Sequence, residues 1–144
     1  IRALKMHSGR FAVTAGKALD KNLLKEDLSS IRKGSANLQK QIENARYYGV
    51  PVVVAINRYD TDTDREINLV KKIAMEAGAY ACVESNIYKK GSKGGLKLAE
   101  AVADACNKKS RFRFLYPLDF PIKKKIETIG KKIYGAGNIT YSLK

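Results

Sequence analysis

The run Pro51-Val-Val-Val-Ala-Ile-Asn57 constrains this chain more than any other stretch. Val52 to Ile56 are apolar without interruption, which suits a parallel strand covered on both faces better than one with a wet face. Asn57 ends the run abruptly. Thr63 and Glu66 then have the spacing of a capping box, so a helix is expected to start there. At the carboxyl end of a parallel strand, Asn57, Arg58 and Tyr59 are expected to project into the crevice above the sheet, where open α/β sheets take their ligands.

The flanking sequence has the matching rhythm. Leu28, Ile31, Leu38, Ile42 and Ala45 recur at helical spacing, and Gly49 stops that helix before Pro51. Ile67, Val70, Ile73, Ala74 and Ala77 lie on one face of a second helix closed by Gly78. Tyr80 to Val83 reads as another short strand, residues 84–95 as a polar glycine-rich loop, and Leu96 to Cys106 as a helix. Ile1 to Met6 reads as the end of a strand. Strand, helix, strand, loop and helix in this order predict an α/β fold with a parallel sheet and right-handed helical crossovers. Beyond Lys109 the pattern changes to an extended segment around Phe112 to Tyr116 and a helix through Ile122, Ile126, Ile129 and Ile133, ended by Gly135. The expected organisation is therefore an α/β portion over 1–109 and an extended segment plus helix over 110–144.

A chain of 144 residues, 44% of them hydrophobic, is long enough for one compact domain with its own core. It holds no 18-residue apolar run, which excludes a membrane-spanning helix. The start at Ile1, with neither an initiator Met nor a signal-peptide pattern, reads as that of an excised or incomplete chain. Lys and Arg number 28 against 14 acidic residues, a formal charge of +14 that favours anionic partners: nucleotides, polyglutamylated or phosphorylated small molecules, or nucleic acid. The lysine clusters at 21–25, 71–72, 89–93, 108–109 and 123–125 lack interleaved aromatics and are expected on solvated faces, which disfavours nucleic acid. Cys82 and Cys106 have no CxxC spacing and His7 is the one imidazole, so no metal site is expected. Both thiols are expected to be buried and reduced, as in an intracellular protein.

Three constellations bear on binding. Asn57-Arg58-Tyr59-Asp60 is a variant, with Arg for Lys, of the purine-reading N-K-x-D element. Gly91, Gly94 and Gly95 with Lys89, Lys90 and Lys93 form a candidate backbone and cation cradle for an anion, though the chain contains no G-x-x-x-x-G-K-[ST]. Tyr59 and Tyr88 each follow a predicted strand, where two rings can sandwich a flat heterocycle.

The segments Leu4 to His7, Val13 to Leu19, Asn37 to Asn44, Gly49 to Asn57, Thr61 to Thr63, Arg111 to Tyr116 and Lys132 to Gly135 together resemble formate–tetrahydrofolate ligase, also called 10-formyltetrahydrofolate synthetase. The resemblance covers essentially the whole chain. It implies an internal portion of a P-loop NTPase-like α/β ligase that makes formyl phosphate from formate and ATP and passes the formyl group to tetrahydrofolate. ATP with Mg²⁺ and tetrahydrofolate are the implied ligands, the P-loop is expected upstream, and this chain alone is expected to be inactive. The complete ligase is expected to be a homo-oligomer, cytoplasmic or of the mitochondrial matrix, with no membrane contact. Position by position, Asn57 matches a nucleotide-site Asn at the strand end. Tyr59 stands where the family has Phe and Tyr88 where it has Trp, the walls of the folate pocket. Gly91, Gly94 and Gly95 match the glycine-rich loop, and the usual His-Gly-Gly has become His7-Ser8-Gly9. The competing readings are a non-catalytic basic module that holds nucleic acid or an acidic partner, and a GTPase portion resting on Asn57 to Asp60.

Overall fold

The computed structural model describes residues 1–11, 16 and 18–142, so most of the Val13–Leu19 stretch lies outside the described residues. Eight elements follow one another: α1 (Arg2–His7), α2 (Leu28–Arg46), β1 (Val53–Asn57), α3 (Asp64–Glu76), β2 (Ala81–Ser85), α4 (Ile87–Lys90), α5 (Leu96–Cys106) and α6 (Ile122–Lys132). Short 3₁₀ turns occupy Lys21–Leu24 and Gly91–Gly95. The architecture is α/β, with helices packed on a small sheet in which β1 pairs with β2 in parallel, from Val53 opposite Ala81 to Asn57 opposite Ser85.

The predicted capping box sets the start of α3. Glu66 N–H donates to Thr63 Oγ1 over 3.3 Å, and Thr63 N–H donates to Glu66 Oε2 over 3.2 Å. Gly78, at φ 90°, closes the end of that helix, and Gly49, at φ 71°, follows α2 in the same left-handed region. Alternation along the strands turns Val54, Ile56 and Cys82 toward α2 and α3. There Ile31, Ile56, Ile67, Leu69, Val70 and Ile73 form the main core, with Ile42, Ala74 and Ala79 beside it. Each large aliphatic side chain so buried contributes about 1.5–3 kcal/mol.

The opposite face is covered less completely than the apolar run implies. Helix α5 lies against both strands but fully buries only Ala105, leaving Leu96 59% exposed, while Val53 and Val83 are half-buried and Ala55 is exposed. Among the described residues no strand pairs with the other edge of β1.

Three further expectations are corrected. Residues 2–7 form a helix, not a strand end: Arg2-Ala-Leu-Lys-Met is built of strong helix formers, and α1 lies so close to α2 that a Cβ on Gly34 would sit 1.8 Å from the Leu4 carbonyl oxygen. The loop after β2 is not irregular throughout, because α4 and the Gly91–Gly95 turn organise it. Cys82 is half-buried, and Cys106, in the last turn of α5, is exposed. At His7-Ser8-Gly9, Ser8 lies at φ −64°, with its buried hydroxyl donating to Lys5 O over 2.6 Å.

The C-terminal segment attaches to α2. Lys40 Nζ donates to Lys132 O over 2.7 Å and Asn44 Nδ2 to Ile133 O over 3.3 Å, which satisfies carbonyls at the end of α6. Ile122 and Ile126 of α6 are exposed. No helix among the described residues is long and apolar enough to cross a membrane.

Candidate functional site

Asn57 and Tyr59 lie where the sequence puts them, at the carboxyl end of β1, and both line a crevice of about 510 Å³ between α1, α2 and the open edge of β1. Leu4, Leu38, Val54 and Val70 supply its apolar wall. Its size falls within the range of small-molecule sites. The backbone beyond Asn57 is held by Arg58 N–H, which donates to Ser85 O over 3.1 Å and so extends the strand pairing by one step. A tight turn follows: Tyr59 N–H donates to Asp62 Oδ2 over 2.8 Å, and Asp62 N–H returns to Tyr59 O over 3.0 Å. The buried Asp62 thus fixes Tyr59 on the rim of the crevice.

The cation facing this crevice is not Arg58. Its guanidinium is held by Glu84, Nη1 to Oε2 at 2.8 Å, and by Asp64, Nη2 to Oδ1 at 2.6 Å. Lys71 also donates to Glu84, and Lys71 first and Arg58 second hold the Glu84 carboxyl below its usual range. Arg58 is therefore a brace between β2 and the start of α3. The residue that takes its place is Arg2, whose guanidinium carbon lies 4.1 Å from the centroid of the Tyr59 ring, within cation–π range, and which lines the same crevice. Reading residues 1–6 as a strand concealed this residue; the helix-forming composition of the segment was the signal that would have found it.

What holds α1 in position is a buried ion pair. Lys5 Nζ lies 2.6 Å from Glu66 Oε1, with the two side chains 1% and 0% exposed. The ammonium also donates to Leu23 O at 3.2 Å and Lys25 O at 2.7 Å. Glu66 Oε1 in turn accepts from Asp27 N–H at 2.9 Å, so the capping residue of α3 ties together the starts of α2 and α3 and the middle of α1. Arg2 is one helical turn from this anchor.

Tyr88 is brought to Tyr59, as expected, with ring centroids 6.0 Å apart and planes tilted by 43°. A flat ring held between two parallel ones needs roughly 7 Å, twice the contact distance of stacked carbons. The pair as it stands is in direct contact. Tyr88 is 89% exposed, however, so it is free to turn and open that space. Lys89, next to it, reaches across to Asp60 at 2.8 Å and tethers α4 to the turn after β1. That contact occupies the carboxylate that a guanine-reading element would present to a base.

Gly91, Gly94 and Gly95 do not line the Asn57–Tyr59 crevice. Gly94 O accepts from Asn86 N–H over 3.0 Å, and a Cβ there would lie 2.3 Å from Asn86 O, so Gly94 lets the loop fold back on itself. Gly94 lines a separate cleft of about 260 Å³, together with Lys71, Glu84, Lys90, Lys93 and Lys97. Cys82 also borders that cleft, and burial pushes its thiol up to about 11. No cluster of three or more His, Cys, Asp or Glu suited to a metal ion occurs among the described residues.

Comparison with known proteins places this geometry in context. The profile of the family described as formate–tetrahydrofolate ligase matches residues 1–144. The formate–tetrahydrofolate ligase of Roseiflexus sp. (strain RS-1) is 47% identical over 142 residues, which is 99% of this chain and 25% of the relative. That of Desulforamulus reducens is 48% identical over 141 residues, 98% of this chain and 25% of the relative. The cytoplasmic C-1-tetrahydrofolate synthase of Homo sapiens is 48% identical over 139 residues, covering 96% of this chain and 15% of that protein. The chain therefore spans a quarter or less of the length of these curated relatives. On this similarity, which runs from the first residue to the last, the chain belongs to the formate–tetrahydrofolate ligase family.

Proposed function

We propose that this chain supplies part of the nucleotide and folate crevice of an ATP-dependent ligase that makes 10-formyltetrahydrofolate from formate and tetrahydrofolate through formyl phosphate. The observation that carries the reading is the convergence of Asn57, Tyr59 and Arg2 on one crevice at a parallel strand end, with Tyr88 against Tyr59, in a chain matched throughout by this family. In this reading the Tyr59 ring is a wall for the flat bicyclic part of the folate, with Tyr88 swinging off it to cover the second face. Arg2, already over the Tyr59 ring, holds that wall in orientation and adds positive potential at the mouth of the crevice. Asn57 offers a carboxamide donor and acceptor to the nucleotide. Formyl transfer needs a bound phosphate leaving group, and the P-loop, its lysine and the Mg²⁺ contacts are supplied in this reading by other parts of a P-loop NTPase-like ligase.

The test is Tyr59→Ala in the complete ligase. Loss of one stacking wall, roughly 0.5–1.5 kcal/mol beyond area burial, raises the KM for tetrahydrofolate about 2- to 12-fold and leaves that for formate unchanged. Steady-state kinetics with each substrate varied in turn reads the difference. Unchanged folate kinetics removes Tyr59 from the site.

A further inference from the structure

The opposite end of the strand pair carries a second cleft, of about 470 Å³, with a different character. Arg46, Lys108, Lys109, Arg111 and Arg113 all line it, and no carboxylate does. Val52, just before β1, and Tyr80, just before β2, form part of its floor. The five residues of β1, at about 3.3 Å each, separate this cleft from the Asn57 crevice by roughly 15 Å. The two sites are therefore independent.

The arrangement is fixed by backbone. Arg111 N–H donates to Gly49 O over 3.1 Å and Arg113 N–H to Tyr48 O over 3.0 Å, and a Cβ on Gly49 would lie 2.1 Å from Arg111 O. Arg111 and Arg113, two residues apart in an extended segment, share one side and face the cleft. Phe112 and Phe114 share the other, paired edge to face at 5.5 Å, with Phe112 stacked on Tyr48 at 6.5 Å. Arg46 Nη1 donates to Ala77 O over 3.2 Å and Arg113 Nε to Tyr47 O over 3.0 Å, so each guanidinium is anchored through one nitrogen, and its others have no hydrogen-bond partner among the described residues.

These cations differ from the other conspicuous ones. Lys5, Arg58, Lys71 and Lys89 each have a carboxylate partner, whereas none of Arg46, Lys108, Lys109, Arg111 and Arg113 is in a salt bridge among the described residues. Crowding like charges in one concavity raises the local potential, and a dense anion relieves it. Guanidinium forks match phosphate oxygens in pairs, and the two lysines add mobile point charges.

We propose that this cleft binds a compact oligophosphate, an anion with two or more linked phosphoryl groups. A single nucleic-acid strand is a poorer fit, because Phe112 and Phe114 lie on the wrong side of the segment to stack bases. The face of Tyr80 is also approached by Lys108 Nζ at 5.6 Å.

The experiment is calorimetric titration of the 144-residue chain with sodium tripolyphosphate. The expected result is saturable one-to-one binding that Lys109→Glu/Arg111→Glu weakens at least tenfold. Lys33→Glu/Lys131→Glu, a pair of exposed changes elsewhere with the same charge difference, changes it less than twofold. The milder Lys109→Gln/Arg111→Gln repeats the test with no introduced anions, and circular dichroism establishes that each variant is folded. Equal weakening by the cleft and remote pairs means that net charge alone attracts the anion, and overturns the proposal. So does unaltered binding in both cleft variants, absence of saturable binding, or tighter binding of a thymidine decanucleotide than of tripolyphosphate.

Discussion

Replacing Lys5 by Met deletes the cation that is paired with the fully buried Glu66 carboxylate. The methionine side chain refills the space of the lysine stem, so packing changes little and the electrostatic loss is isolated. Glu66 keeps its hydrogen bonds from Asp27 N–H and Thr63 N–H, at 2.9 and 3.2 Å, but neither brings a full charge. Removing one partner of a buried pair costs about 3–5 kcal/mol. With about 2.1 cal/mol/K of unfolding entropy per residue, a chain of 144 residues loses about 10–17 °C in Tm. A thermal melt followed by circular dichroism measures this. The companion variant Lys5→Met/Glu66→Gln removes the stranded charge, although its single amide oxygen keeps only one of the two backbone donors, which reach different oxygens of the carboxylate, and replacement of a whole buried pair is often near neutral. The double variant is therefore expected to regain part of the loss, the donor left unpaired taking back about 1–3 kcal/mol of the gain. A single-variant shift below about 3 °C, or a double variant no more stable than the single, refutes the claim that this pair anchors α1.

Two other consequences can be measured on the same chain. Burial holds the Cys82 thiol protonated, with its pKa pushed up to about 11, whereas Cys106 is exposed, so iodoacetamide at pH 8 modifies Cys106 first and Cys82 slowly; equal rates by peptide mass spectrometry contradict this. Glu84 is held below the ordinary carboxylate range by Lys71 and then Arg58, and Asp27 by hydrogen bonds from Ser30 with Arg10 adding to them. A depressed folded-state pKa gives stability that is present above the unfolded value and lost as pH falls through the folded one, so Tm is expected to be flat near pH 6–7 and to fall below about pH 4.5. Glu84→Gln lowers Tm at pH 7 and makes the acid-side slope shallower; an unchanged slope removes Glu84 from the acid transition.

Much of the frame was legible because it rests on local chemistry. The Thr63–Glu66 box and the glycines at 49 and 78 each act through neighbouring backbone and do in the structure what their spacing implies, and the Val52–Ile56 run gives the parallel strand, though with one face only partly covered. What was not legible depends on partners distant in sequence. Arg58 looks like a ligand cation until Glu84, 26 residues on, is brought beside it by the parallel pairing. Lys5 and Glu66 look like ordinary surface charges until α1 settles on Gly34 and buries both. The basic cleft escaped for a related reason: Arg46 and Arg111 are far apart along the chain, and the contacts of Arg111 with Gly49 and of Arg113 with Tyr47 and Tyr48 join them.

The same contrast assigns different work to the two ends of the sheet. Around the carboxyl end of β1, Arg58 is matched by two carboxylates, Lys71 by Glu84 and Lys89 by Asp60, so the Asn57 crevice presents an apolar wall and two rings, with Arg2 as the one cationic side chain lining it among the described residues. Such a surface discriminates by fit, through Tyr59, Tyr88 and the apolar wall, and tolerates salt. At the amino ends the cations are unmatched and their attraction is long-ranged, weakening as the Debye length contracts from about 10 Å at 0.1 M salt to about 3 Å at 1 M. Salt therefore separates the two sites without any mutation: raising it weakens whatever the amino-end cleft holds and leaves ring stacking at Tyr59 nearly unchanged.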